Sequence, residues 1–122
     1  MSRILEARQA VAATVNAAGV TAHPNFPDRL TPPCVAVQAG DPYLDSGQVY
    51  GTYLARHELL MVEQKAANTT AADRIDDRLD TVLTALIAAG YGIERVSQPY
   101  GLDVGTAVYP TVSITTTSEI TI

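Results

Sequence analysis

The seventeen residues at 48–64, QVYGTYLARHELLMVEQ, limit the choice of folds most sharply, because their apolar side chains fall on both parities. Read as a strand, the odd positions place Tyr53, Ala55, His57, Leu59 and Met61 on one face. The even positions place Thr52, Leu54, Arg56, Glu58, Leu60 and Val62 on the other. A strand whose second half is apolar on both sides belongs in the middle of a sheet covered on both faces, by helices or by another subunit. A helix is the rival, since residues 54–67 are rich in Leu, Met, Glu, Gln, Lys and Ala, all good helix formers. Periodicity by itself does not choose between them.

Two flanking segments read as helices. Ser2 can cap a helix in which Ile4, Ala7, Val11, Val15 and Ala18 share a face, and Gly19 offers the left-handed residue that ends it. Thr70 looks like the hydroxyl cap of a second helix, in which Ile75, Leu79, Val82, Leu86 and Ala89 form one stripe up to Gly90. Its outer side carries Asp73, Asp76, Asp77 and Asp80 with Arg74 and Arg78.

The remaining segments are β-prone or irregular. Residues 20–23 suggest a short strand, and Pro24, Pro27, Pro32 and Pro33 make the next stretch a connector of fixed shape. Residues 34–38 read as a short strand stopped by Gly40-Asp41-Pro42. The loop expected at 39–47 carries Tyr43 and Leu44, two apolar side chains that, if exposed, would form a contact patch. Residues 65–69 read as a loop, 91–97 as a β-prone run, and 98–110 as a Gly- and Tyr-rich hairpin or loop. From Thr111 onwards the chain alternates cleanly, with Val112, Ile114, Ile120 and Ile122 on the core side. If residues 48–64 form a strand, the result is a single α+β domain over 1–122. It has a mostly antiparallel or mixed sheet of about five strands with two main helices packed on it.

Composition narrows the function. Charged residues make up only 17% of the chain and hydrophobic ones 47%, a balance suited to packing against neighbours. Eight scattered basic residues and a net charge of −5 speak against a nucleic-acid groove. The lone Cys34 allows no internal disulfide and reads as a small buried residue in a reducing compartment. With no signal sequence and no long apolar run, the expectation is a soluble, cytosolic protein without membrane contact.

No catalytic pattern stands out. His23 and His57 lack second ligands at metal spacing, and His57 reads as a partly buried, hydrogen-bonded side chain. The acidic run at 73–80 is interleaved with arginines, and residues 41–47 lack the middle acid, the glycine and the distal Glu of a calcium loop. No G-x-S-x-G, P-loop or G-x-G-x-x-G occurs, so neither enzyme activity nor a cofactor is expected. Tyr43, Tyr50, Tyr100 and Tyr109 can anchor protein contacts or shield the sheet ends of a monomer.

Several stretches together resemble the tail terminator, or tail completion, proteins of long-tailed bacteriophages, particularly those of actinobacterial hosts. They are the opening helix up to Ala17-Ala18-Gly19-Val20, Pro27-Asp28-Arg29-Leu30-Thr31-Pro32-Pro33, Gly40-Asp41-Pro42-Tyr43, the 53–63 segment and the second helix. The resemblance is one of element order and carries no catalytic signature. It implies an α/β protein that, like the lambda tail terminator, forms a hexameric ring on the head-proximal end of the tail tube. Such a ring ends tube polymerisation and presents a surface to the head connector. The implied partners are further copies of the chain, the major tail tube protein and a head–tail connector or neck protein. The implied place is the virion tail, after assembly in the host cytoplasm. The resemblance also favours a strand over a helix at 48–64. Our candidates for the contacts are Tyr43 and Leu44, with Tyr50, Tyr53, Arg56 and Glu58 along the central strand. A neck or head-completion protein shares these broad features, and a dimeric α+β ligand-binding domain is an alternative of another class.

Overall fold

Ser2 caps the first helix as the sequence suggests: its Oγ accepts a hydrogen bond from the Leu5 amide at 3.2 Å, and α1 (Arg3–Ala17) follows. A computed structural model describes residues 2–105 and 107–122, with residue 68 described by its backbone alone. The second helix, α2 (Asn68–Ala88), starts before the Thr70 expected to cap it. The Ala71 amide already reaches back to the Ala67 carbonyl at 2.8 Å, so Thr70 lies in the first turn and no side chain caps the helix. Both helices run into glycines in the left-handed region, Gly19 at φ 90° and Gly90 at φ 91°.

Between and after the helices come β1 (Ala22–His23), β2 (Cys34–Ser46), β3 (Thr52–Val62), β4 (Gly92–Val96), β5 (Tyr100–Val104) and β6 (Ala107–Thr121). The 48–64 stretch is therefore a strand preceded by a hairpin turn. β3 lies between β2 and β6 in the order β1-β2-β3-β6-β4, and β5 extends the outer side of β6. β1 pairs with β2 in parallel, and every other pairing is antiparallel. β6 pairs with β3 along its whole length, from Thr52 opposite Thr121 to Val62 opposite Thr111, while β2 pairs on either side of Arg56, so most of the β3 backbone has partners on both sides. That outweighs the weak helix preference of its Leu, Met and Glu residues. The sheet has six strands because 98–110 forms β5 and the start of β6.

Gly40-Asp41-Pro42 does not stop β2. Pairing with β3 lapses after Ala39 opposite His57 and resumes at Leu44 opposite Ala55, so Gly40 to Tyr43 bulge outward across from Arg56 alone. The expected loop at 39–47 is thus a bulged strand, and its Pro42 sits on the side that β1 does not reach.

Both helices pack on one face of the sheet. Leu59 and Met61 from β3, with Val35, Val37, Val112 and Ile114, meet Val11 and Val15 of α1 and Ile75, Val82 and Leu86 of α2. Each fully buried aliphatic side chain here contributes about 1.5–3 kcal/mol of transfer free energy. On the opposite face a smaller cluster of Cys34, Ala36, Leu60 and Val62 is covered by Leu30, Leu102 and Tyr109. At its Val62 end this face is covered by neither helices nor another subunit, as the sequence allowed, but by the proline-rich connector and the β5–β6 hairpin. Cys34 is buried, as its setting suggested. Among the described residues, no helix is long and apolar enough to cross a membrane.

Candidate functional site

Arg56 organises the half of the second sheet face that the chain leaves uncovered. Its Nε and Nη2 donate to Glu94 Oε1 and Oε2 at 2.6 and 2.9 Å, and its Nη1 donates to the Pro42 carbonyl at 2.9 Å. Asp45 lies 3.9 Å from the same Nη1. The bulge makes this possible. A Cβ on Gly40 would stand 2.6 Å from Arg56 Cγ and 2.8 Å from its carbonyl oxygen, so only glycine lets β2 pass so close. The Glu94 carboxyl is held below the ordinary carboxylate range by its hydrogen bonds from Arg56, and the guanidinium is pushed up by the same bonds. Glu58 continues the polar band. It faces Thr115 of β6, which in turn faces Arg95 of β4.

The other candidate residues fall into two groups. Tyr43 and Leu44 are half-buried and form no exposed patch. Tyr43 instead packs edge-on against the His57 ring, centroids 5.8 Å apart. His57 is fully buried beneath α1, and neither ring nitrogen has a hydrogen-bond partner among the described residues, contrary to the hydrogen-bonded role expected of it. Burial and the nearby Arg8 guanidinium push its pKa down, keeping the imidazole neutral. Tyr50 and Tyr53, by contrast, are exposed, with Tyr50 fully so at the tip of the β2–β3 hairpin. Val49 beside it is 65% exposed.

The two ends of the sheet differ in kind. At the Thr52 end the β2–β3 tip projects, its turn fixed by the Thr52 hydroxyl on the Val49 carbonyl and by the Ile122 amide on the Gly51 carbonyl. At the Val62 end β5 and the first residues of β6 form a two-stranded arm that runs past the end of β3. Between this arm and the first turns of α2 lies a groove of about 560 Å³, largely apolar, with Lys65 at its rim. Close by, the buried Glu63 accepts from Arg78 Nε at 2.6 Å and clamps the end of β3 to α2. Arg78 was expected on the outer side of the helix, where its spacing places it. No local signal marks Glu63 as its partner, because the pair joins elements across a loop.

The sequence reading missed Glu94, Val49 and the Lys65 groove. Val49 had a usable signal, an apolar pair at a turn between two strand patterns; Glu94 had none, since it meets Arg56 only across β6. Among the described residues, no three His, Cys, Asp or Glu side chains converge as a metal site requires. No protein-family model matches the chain, and among curated proteins none matches its sequence either. The arrangement offers surfaces for binding: a polar sheet face, an apolar tip and an apolar groove.

Proposed function

We propose that the protein is a structural virion subunit that closes into a ring, most simply a hexamer, at the head-proximal end of a phage tail tube. There it ends tube polymerisation and provides the docking surface for the head connector. The element order that resembles the tail terminators motivates the reading. The single observation that supports it is that the two ends of the sheet are unlike, a projecting apolar tip at one and an arm with an apolar groove at the other. Unlike ends suit a head-to-tail contact that repeats from subunit to subunit, and such contacts close into rings when the rotation between neighbours permits. The polar band around Arg56 and Glu58 and the charged outer side of α2 remain for the tube protein and the connector. The mechanism is binding alone, with no catalytic step and no cofactor.

Deleting the gene from the phage that carries it tests the proposal. The expected result is headless tails of excess or irregular length. Free tails of normal length would assign the protein to the neck instead. In solution, a hexamer, or a monomer that becomes hexameric on tail tubes, is expected; a stable dimer that binds a small molecule would overturn the reading.

A further inference from the structure

We infer that the Val49–Tyr50 tip of one copy seats in the groove beside Lys65 of the next copy, and that this is the contact by which subunits join. The inference rests on the ring reading above and supplies its residues.

The tip has the properties of an anchor. Tyr50 is fully exposed and Val49 is 65% exposed, so neither is spent on the chain's own core. Their turn is nevertheless fixed by hydrogen bonds from Thr52 and Ile122, which lowers the entropy lost when it docks. Tyrosine on a rigid turn supplies large contact area at small conformational cost, the reason it dominates interface hot spots.

The groove has the complementary properties. Ala71 and Ile75 of α2 form one wall, and Val108 and Pro110 of the arm form the other. Gly101 opens the space between them, since a Cβ there would press on Val108 Cγ1 at 2.7 Å. Val108 is 51% exposed and available for contact. About 560 Å³ accommodates a tyrosine ring with a neighbouring valine. Lys65 is the one lysine in the sequence and, among the described residues, the only charged residue lining the groove. Among the described residues it makes no ion pair; its ammonium lies 5.7 Å from the Tyr109 ring centroid. Beside the tip the exposed Glu119 lies opposite Leu54 in cross-strand register, with Asp45 on the other side of Leu54 close to Arg56, and Arg3 on the Thr121 carbonyl at the same end. The exposed Glu119 carboxylate beside the tip can meet the Lys65 ammonium at the rim of a neighbour's groove.

The two surfaces lie at opposite ends of the sheet, so a chain cannot fill its own groove. The occupant is a second copy, whose own groove stays open to the tip of a third.

Cysteine pairing tests the contact. Tyr50→Cys and Val108→Cys variants, mixed under mild oxidation, are expected to give a mixed disulfide dimer, and the double variant a ladder of higher oligomers. The native Cys34 is buried and does not compete. A control mixture of Tyr50→Cys with Gln9→Cys, on the exposed side of α1, should give only background dimer. Independently, Tyr50→Ala is expected to weaken self-association by about thirtyfold in sedimentation, the loss typical of a hot-spot tyrosine, while Tyr50→Phe keeps most of it. Mixed dimer no greater than the control, or assemblies that Tyr50→Ala leaves unchanged, would overturn this contact. Intact rings in that second case would leave the ring reading standing, while the tail-length phenotype of the gene deletion reports on the function separately.

Discussion

The two faces of β3 carry neighbouring residues of one strand into different physical regimes. On the helix-covered face His57, Leu59 and Met61 are completely removed from water, and shape and dispersion hold them in place. On the other face Leu60 and Val62 lie under a thin cover of connector and hairpin, and Arg56 is anchored by charge. The helix face can thus tolerate an imidazole with no partner, because it is kept neutral. The other face can hold a permanent charge, because a bulge and a carboxylate were built around it. One strand shows that a residue's chemistry is set by what crosses above it as much as by its own type.

The contrast can be tested in order of expected effect. Leu59→Ala should cost about 3–4 kcal/mol in chemical denaturation, since helices on that side leave little room to collapse. Leu60→Ala should cost about 2 kcal/mol; equal losses would mean that the thin cover packs as tightly as the helices. Arg78→Ala should cost about 2 kcal/mol, less than for a fully enclosed pair because Arg78 is 25% exposed while Glu63 is 1% exposed. Recovery of the wild-type midpoint in Arg78→Ala/Glu63→Gln would confirm that the loss is the stranded carboxylate.

His57 gives a pH-dependent effect. Its folded pKa lies below the unfolded value of 6.5, so the unfolded chain binds the proton more readily. The stability it contributes is complete above that pH and declines as the pH falls below it, by at most about 1.4 kcal/mol per pH unit, until the folded value is reached. His57→Phe, which keeps an aromatic ring against Tyr43, should flatten that part of the profile; an unchanged profile between wild type and variant would show that His57 is protonated in place. The smallest effect is expected of Glu94→Gln. Because the folded pKa of Glu94 is depressed, its stabilisation is present above its unfolded value and lost as acid brings the pH down through the folded value. Its carboxylate is 41% exposed, so salt should shrink the difference between wild type and variant. A difference that salt leaves intact would mean the pair is better shielded than its exposure indicates.

Much of the fold was legible in the sequence where the signal was local. The α2 stripe from Ile75 to Leu86 and the alternation of β6 both report a buried face directly. Where the deciding contact was remote, the reading failed. Gly40-Asp41-Pro42 carries true turn chemistry, yet β3 pairs with residues on either side of it and carries the strand onward. Arg78 has the spacing of an outer-face residue but turns to Glu63, and Thr70 has a cap's chemistry one turn too late. Of the candidate site, Tyr50 and Tyr53 were found at exposed positions and Arg56 at the centre of its ion-pair network. Tyr43 packs on His57, a contact that nothing near it in the sequence foretells.

The sheet order has a consequence for how the chain is made. β6 follows every other element in the sequence yet sits inside the sheet, between β3 and β4. During synthesis, β3 can pair with β2 early, but its other edge stays open until β6 emerges, and β4 waits for the same strand. The nascent protein therefore passes through a stage with a bare, apolar strand edge, the condition in which chains capture one another. The interval before β6 pairs is the one in which such capture can occur.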